Sequence, residues 1–215
     1  MKHSQSSNQP PYGPQDLARD LNVSRETLQR LEAFAALLVQ WNAKINLVAK
    51  STISDLWRRH ILDSGQLAPL LPVASGPVVD LGSGAGFPGL ILAILGIKEV
   101  HLVESDARKA AFLREAARHT QTDVLIHVSR IEAVKPFAAR AVTARALAPL
   151  TELLDLAFPF FGPNTVGLFL KGQNVGAELT EAHKTWKIRV DQLSSHSDPT
   201  ASVVCVREVK RVEPV

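Results

Sequence analysis

Asp80-Leu81-Gly82-Ser83-Gly84-Ala85-Gly86-Phe87-Pro88-Gly89 is the stretch that decides the reading of this chain. It follows the β-branched pair Val78-Val79 and precedes the apolar run Leu90-Ile91-Leu92-Ala93-Ile94, so it stands where a strand ends and a helix begins. Glycines at such a junction let the backbone take positive φ and approach a ligand closely. Pro88 suits a first helical turn, where its missing N–H would have had no partner, and places the expected helix start near Phe87.

Outward from this loop, the short runs Val100–Val103, Val124–Val128, Ala141–Ala144 and Val166–Leu170 alternate with helical stretches, which implies a parallel sheet covered on both faces. Beyond Trp186, Ile188–Leu193 and Ser202–Val209 follow one another with no apolar helix between them, as in a closing antiparallel hairpin. The expected fold is therefore α/β: a Rossmann-like, mostly parallel seven-stranded sheet. Upstream, Leu28, Leu31, Phe34, Ala35, Leu38 and Trp41 recur at helical spacing behind Ser24, a good N-cap, with Trp41 read as core. A second helix is expected from Thr52 to Leu71, with Pro72 after its end and a linker from Pro72 to Pro77. Residues 1–14, rich in Ser, Gln, Asn and Pro, read as a disordered tail, 15–72 as an N-terminal helical extension and 73–215 as the domain built around the glycine loop.

Composition excludes several classes. With 46% hydrophobic and 21% charged residues the chain is neither wholly disordered nor fibrous. Its longest apolar run, Phe87 to Ile97, is interrupted by Pro88, Gly89 and Gly96 and falls short of the ~20 residues that span a bilayer, so no membrane contact is expected. The N-terminal residues carry no apolar signal region, which makes the cytoplasm the expected compartment. The single Cys205 can form neither an internal disulfide nor a multi-cysteine metal site; it reads as a core strand residue, and no metal is expected. Lys and Arg exceed Asp and Glu by 24 to 21, too even a balance for binding nucleic acid through charge alone, so an RNA substrate would be selected largely by shape.

Gly84, Gly86 and Gly89 spell G-x-G-x-x-G, but Asp80 followed by Gly82, Gly84 and Gly86 fits better the D-x-G-x-G-x-G loop of S-adenosylmethionine enzymes. Such a donor needs its methionine portion laid over the loop and its ribose hydroxyls held by a carboxylate at the end of the second strand. Glu104, directly after Val100-His101-Leu102-Val103, is that carboxylate. Nicotinamide enzymes use the same geometry, so a nicotinamide-dependent oxidoreductase is the competing enzyme class; a non-catalytic nucleotide-sensing RNA-binding module is the other alternative.

Beyond the loop, the chain carries Trp41-Asn42 with Asn46-Leu47, Arg59-His60-Ile61-Leu62-Asp63-Ser64, Ser129-Arg130-Ile131-Glu132, Arg145-Ala146 and Leu170-Lys171-Gly172-Gln173. In that order and spacing, from about Leu28 to Val209, the chain resembles the RsmG (GidB) family of bacterial 16S ribosomal RNA guanine-N7 methyltransferases. The resemblance implies a class I methyltransferase fold, S-adenosyl-L-methionine as cofactor, 16S ribosomal RNA in the small subunit as partner and no obligate protein partner. It carries cofactor contacts onto Gly82, Phe87, Ile131, Glu132 and Arg145, beside the loop's Gly84 and Gly86. Three positions depart from the family's pattern: Val48 where many members have Thr, Arg140 where an acid is usual, and a tail before Gln15 without counterpart.

Guanine N7 is a lone-pair acceptor and attacks a sulfonium methyl without losing a proton, so no general base is expected. The loops indeed offer no set of nucleophile, base and orienting residue. Arg145 and Lys171, at the C-terminal ends of the fourth and fifth strands, fall at the ligand edge of such a sheet. Lys171, Arg58, Arg59, His60 and Arg108 are the candidates for RNA contact. For His60, paired with Asp63 at helical i, i+3 spacing, a packing hydrogen bond and an RNA contact are both open. Arg58, Arg59 and the Arg108-Lys109 pair are equally compatible with a solvated face and with phosphate contacts.

Overall fold

The computed structural model describes residues 12–212. Seven strands form one sheet in the order β3-β2-β1-β4-β5-β7-β6: β1 Val78–Leu81, β2 Val100–Val103, β3 Leu125–His127, β4 Ala139–Arg145, β5 Phe161–Lys171, β6 Trp186–Ser194 and β7 Ser202–Arg211. Pairing is parallel from β3 through β5 and antiparallel on both sides of β7, so the expected sheet and closing hairpin are present. All four residues of β1 are buried, as a central strand covered on two faces requires. Alternate residues feed opposite cores. Val78, Leu102, Ala141 and Leu168 join one apolar cluster, while Val79, Val103, Val142 and Phe169 join the other.

The helices are α1 Pro14–Asp20, α2 Arg25–Asn42, α3 Asp63–Gly65, α4 Gly89–Ile94, α5 Ala107–His119, α6 Leu150–Ala157 and α7 Val175–Ala182. Ser24 caps α2 as expected, its hydroxyl accepting the N–H of Thr27. Residues 1–11 of the expected tail lie outside the described residues. Its last part is ordered structure, because Pro14 opens α1 behind Gly13 and the hydroxyl of Tyr12 donates to Asp20.

The expected continuous helix from Thr52 to Leu71 is broken into four pieces. Lys50–Asp55 is a 3₁₀ turn, Trp57–Leu62 is π-helical, α3 follows, and Ala68–Leu70 is again 3₁₀. Two causes are visible. Pro69 cannot continue the ladder, and at Gly65 a Cβ would come within 2.5 Å of Leu21 Cδ1, so tertiary packing overrides the period. Strand β5 begins earlier than its apolar run, because Phe161 pairs with Ala139 before a register shift. Arg140, where an acid is usual, donates from Nη1 to the carbonyls of Pro72 and Ala74 at 3.0 and 3.1 Å and ties the linker to the far end of the sheet.

The division at residue 72 does not divide the core. Leu17, Leu31, Phe34 and Leu38 of the extension belong to the same cluster as Leu90, Phe112 and Leu168. Phe34 meets Phe87 edge-on at 5.6 Å, and Trp41 meets Phe112 at 5.7 Å. Cys205 is buried in β7, as expected. Among the described residues no helix is long and apolar enough to cross a membrane.

Helix and sheet approach closely at Gly89, the first residue of α4. A Cβ there would lie 2.5 Å from both Asp80 Cβ and Leu102 Cδ2. Neither neighbour is the free end of an exposed side chain, since both are fully buried in β1 and β2. Gly89→Ala is therefore expected to destabilise the fold by about 3 kcal/mol, the upper range for an extra buried carbon in a packed core. Urea unfolding checks this, and a midpoint equal to wild type would show that α4 can shift.

Candidate functional site

Two cavities open at the C-terminal edge of the sheet, one on either side of the segment that leaves β4. The first, of about 370 Å³, is lined by Gly82 and Gly84 of the glycine loop, Glu104 after β2, and Ile131 and Glu132 after β3. Gly82 and Gly84 take φ of +66° and +54°, which side chains other than glycine rarely adopt. At Gly84 a Cβ would meet nothing nearer than a backbone oxygen at 3.8 Å, so it would project into free cavity space. Glu104 is nearly buried and holds the loop's shape, with Oε2 accepting from Gly84 N at 2.8 Å and Oε1 from Asp106 N at 2.7 Å.

Three of the expected cofactor residues do not line this cavity. Gly86 has its open side filled by Leu90, whose Cβ would lie 2.8 Å from an added Cβ. Phe87 is turned inward and packs on Phe34 and His60. Arg145 lines the second cavity instead. Gly86 and Phe87 thus shape the loop from beneath, and Arg145 stands on the other side of the wall.

The second cavity, of about 470 Å³, is lined by Thr52, Arg59, His60, Asp63, Arg145 and Lys171, among others. Arg145 is its organising group. Its guanidinium lies 4.6 Å above the Phe87 ring, and Nη1 donates to Arg59 O at 3.2 Å and to His60 Nδ1 at 2.8 Å. Asp63 Oδ2 stands 3.7 Å from the same nitrogen. An arginine only donates, so His60 Nδ1 must accept; the ring proton is then on Nε2 and donates to Thr52 Oγ1 at 2.8 Å. The hydroxyl of Thr52 passes its own proton to Ala49 O. Burial, with the Arg145 and Arg59 charges, pushes the His60 imidazole down to about 3, so it is neutral at physiological pH. His60 thus lines the cavity with both ring nitrogens engaged, by Arg145 and Thr52.

Asp63 is tied to a distant loop. Its Oδ1 accepts from Ser197 Oγ at 2.6 Å and from Gln66 Nε2 at 3.0 Å, and Gln66 Oε1 accepts from His196 N. Burial raises the Asp63 carboxyl, opposed by the Ser197 hydroxyl and the Arg145 charge. Lys171 is also engaged: Nζ donates to Ala148 O and to Glu178 Oε2, each at 2.7 Å. Glu178 Oε2 in turn accepts from Leu150 N at the start of α6. The ammonium expected to be free for RNA thus fixes the segment leaving β4. Of the other RNA candidates, Arg59 is at this cavity. Arg58 is stacked on Tyr12 at 4.9 Å, and Arg108 pairs with Asp106 at 3.2 Å beside a third cleft.

Ala146, Leu147 and Ala148 line both cavities and form the wall between them. Leu147 leans on the glycine loop, since a Cβ on Gly82 would come within 2.7 Å of Leu147 Cδ1. This wall, Glu178, and the serines at 195 and 197 escaped the sequence reading. Their partners are remote in the chain and no local pattern marks them.

A family model described as rRNA small subunit methyltransferase G matches residues 27–204. The ribosomal RNA small subunit methyltransferase G of Rhodospirillum rubrum is 54% identical over 92% of this chain and 98% of its own length. That of Paramagnetospirillum magneticum is also 54% identical, over 93% and 97%. Among solved structures, magnesium protoporphyrin IX methyltransferase from Synechocystis PCC 6803 with bound SAM is similar in fold. Its TM-score is 0.57 at 12% identity, over 86% of this chain and 98% of that one.

The neutral His60 has a consequence for pH. Its folded-state pKa, about 3, lies below the unfolded value of 6.5, so the unfolded chain binds the extra proton and stability falls as pH drops below 6.5. His60→Gln lacks that proton site. The stability gap between wild type and the variant, measured by urea unfolding, is expected to be widest above pH 7 and to narrow steadily toward pH 4. A gap that is constant with pH would show that His60 titrates alike in both states.

Proposed function

This chain belongs to the rRNA small subunit methyltransferase G family, and from that premise we propose that it transfers the methyl group of S-adenosylmethionine to N7 of a guanine in 16S ribosomal RNA of the small subunit. The observation that carries this reading is the pair of cavities set back to back across Ala146–Ala148 at the ligand edge of the sheet. One has the features a nucleoside-bearing methyl donor needs, and the other sets Arg59, Arg145 and Lys171 among Asp63, Glu178 and Asp198, a mixed polar lining where a base would enter. Family membership leaves no place for the nicotinamide oxidoreductase reading.

The residues present fit the cofactor. Gly84 leaves a cradle that a Cβ would enter, Glu104 offers a carboxylate toward ribose hydroxyls, and Ile131 with Glu132 offers an apolar face and a polar edge for adenine. When bound, S-adenosylmethionine supplies an electrophilic methyl group on a sulfonium. Guanine N7, a lone-pair acceptor, would take that methyl with no proton for this chain to remove. No residue has to act as a base, and His60 at the acceptor cavity has both ring nitrogens already hydrogen-bonded. The chain's contribution is alignment of donor and acceptor, for which effective-molarity gains reach about 7–11 kcal/mol in favourable cases. Arg145 is placed to present its guanidinium to the base beside the reacting edge, where guanine O6 is an acceptor.

Two outcomes test this. Gly84→Val, which strains a residue at φ +54° and fills the cradle, is expected to lower adenosylhomocysteine affinity at least a hundredfold by calorimetry while the protein remains folded. Unchanged affinity would remove the cofactor from this loop. Second, small subunits from cells lacking the protein, incubated with it and labelled S-adenosylmethionine, are expected to yield 7-methylguanosine at one position of 16S RNA. The single-turnover rate should be flat between about pH 6 and 9. Absence of transfer would leave a non-catalytic RNA-binding module, and a steep rise with one ionisation would mean a base-assisted transfer to another atom.

A further inference from the structure

A third cleft, between the end of α2 and the start of α5, is left out of the scheme above, and its charge is one-sided. It encloses about 270 Å³ and is lined by Lys44, Lys50, Arg108 and Lys109 against a single acid, Asp106. That acid is already committed. Its carboxylate caps α5, accepting from Arg108 N at 2.8 Å and Lys109 N at 3.4 Å, and it pairs with the Arg108 guanidinium. Among the described residues Lys44, Lys50 and Lys109 make no ion pair. The backbone presenting the first two is held firmly. The buried Asn42 carboxamide accepts the N–H groups of Leu47 and Val48 through one oxygen, both at 2.9 Å. Three lysines kept at one cleft without a counter-charge call for an anionic ligand.

The cleft's position identifies that ligand. Lys50 opens the 3₁₀ turn whose Thr52 lines the larger, acceptor cavity, so residues two apart in the chain, no more than about 7 Å even if extended, line the two sites. A single-stranded chain with one base turned into the acceptor cavity covers that distance within a nucleotide step. Lys109 lines both the cleft and the donor cavity, which keeps the cleft on the same edge of the sheet as the chemistry. Resting on the RNA methyltransferase reading, we propose that this cleft binds the phosphodiester backbone of the substrate RNA beside the target guanosine, through Lys44 and Lys50. Phosphate contacts position a strand and base contacts select it, so the cleft sets register while the acceptor cavity selects the base.

Phosphate contacts announce themselves through salt. Each lost contact removes about 0.7 from the log–log salt slope for a single strand, so losing two makes the rise between 50 and 200 mM salt about sevenfold smaller. For Lys44→Gln/Lys50→Gln this reduction is expected both in the KM for small subunits from cells lacking the protein and in the Kd for protein-free 16S RNA. Melting temperature and adenosylhomocysteine affinity should match wild type, and Lys44→Arg/Lys50→Arg should restore the slope. An unchanged slope in the Gln variant, or failure of the Arg variant to restore it, would overturn the proposal. A slope lost on subunits but kept on protein-free RNA would also overturn it, assigning the cleft to a ribosomal protein. If the wild-type protein methylates neither substrate, the enzyme reading fails at its own test and the assignment of the cleft fails with it.

Discussion

The buried guanidinium of Arg145 is the interaction on which the site depends. It projects from the end of β4 and is satisfied from three directions: the face of Phe87 in the glycine loop, the His60 nitrogen and Arg59 carbonyl of the N-terminal extension, and the Asp63 carboxylate. Asp63 extends the network to Ser197 in the loop between β6 and β7. A buried charge stripped of its partners costs several kcal/mol, so each of these segments is constrained by the requirement to meet Arg145.

That requirement explains why the extension is part of the enzyme's core. Residues 57–62 take wide π-helical turns where a regular α-helix would continue, and π turns recur at functional sites. The turns deliver His60 and Asp63 to the same guanidinium, while Phe34 closes the other side of Phe87. The glycine loop is thus clamped between its own helix, pressed on Asp80 through Gly89, and a foreign aromatic layer. Mobility in such a loop would blur the alignment that the proposed base-free transfer needs.

A second latch holds the wall between the cavities. Lys171 and Glu178 bridge Ala148 O and Leu150 N, satisfying backbone groups at the start of α6 where the N-cap residue, Pro149, offers no side-chain bond. The wall carries no chemistry. Residues 146–148 are shared by both cavities, and Leu147 transmits their position to Gly82.

The strand, loop, helix and acid order around Asp80–Gly89, the seven strands, the capped α2 and the cavity residues Gly82, Gly84 and Glu104 were legible in the sequence. Each rests on a local signal: alternation, glycine spacing, a cap, or an acid at a strand's end; Ile131 and Glu132 came from the family resemblance alone. Residues whose meaning lies in a remote partner were not legible. Arg145 and Lys171 were found as charges at strand ends, but the sequence could not say that one faces away from the glycine-loop cavity and the other is neutralised by Glu178. The helix expected from Thr52 to Leu71 failed partly for the same reason: Pro69 is a local break, but the turns before it answer contacts with residues up to 134 positions away. Periodicity determines which face of an element is buried; only the tertiary structure decides which polar group meets which, because hydrogen bonds and ion pairs depend on distances that the order of residues does not encode.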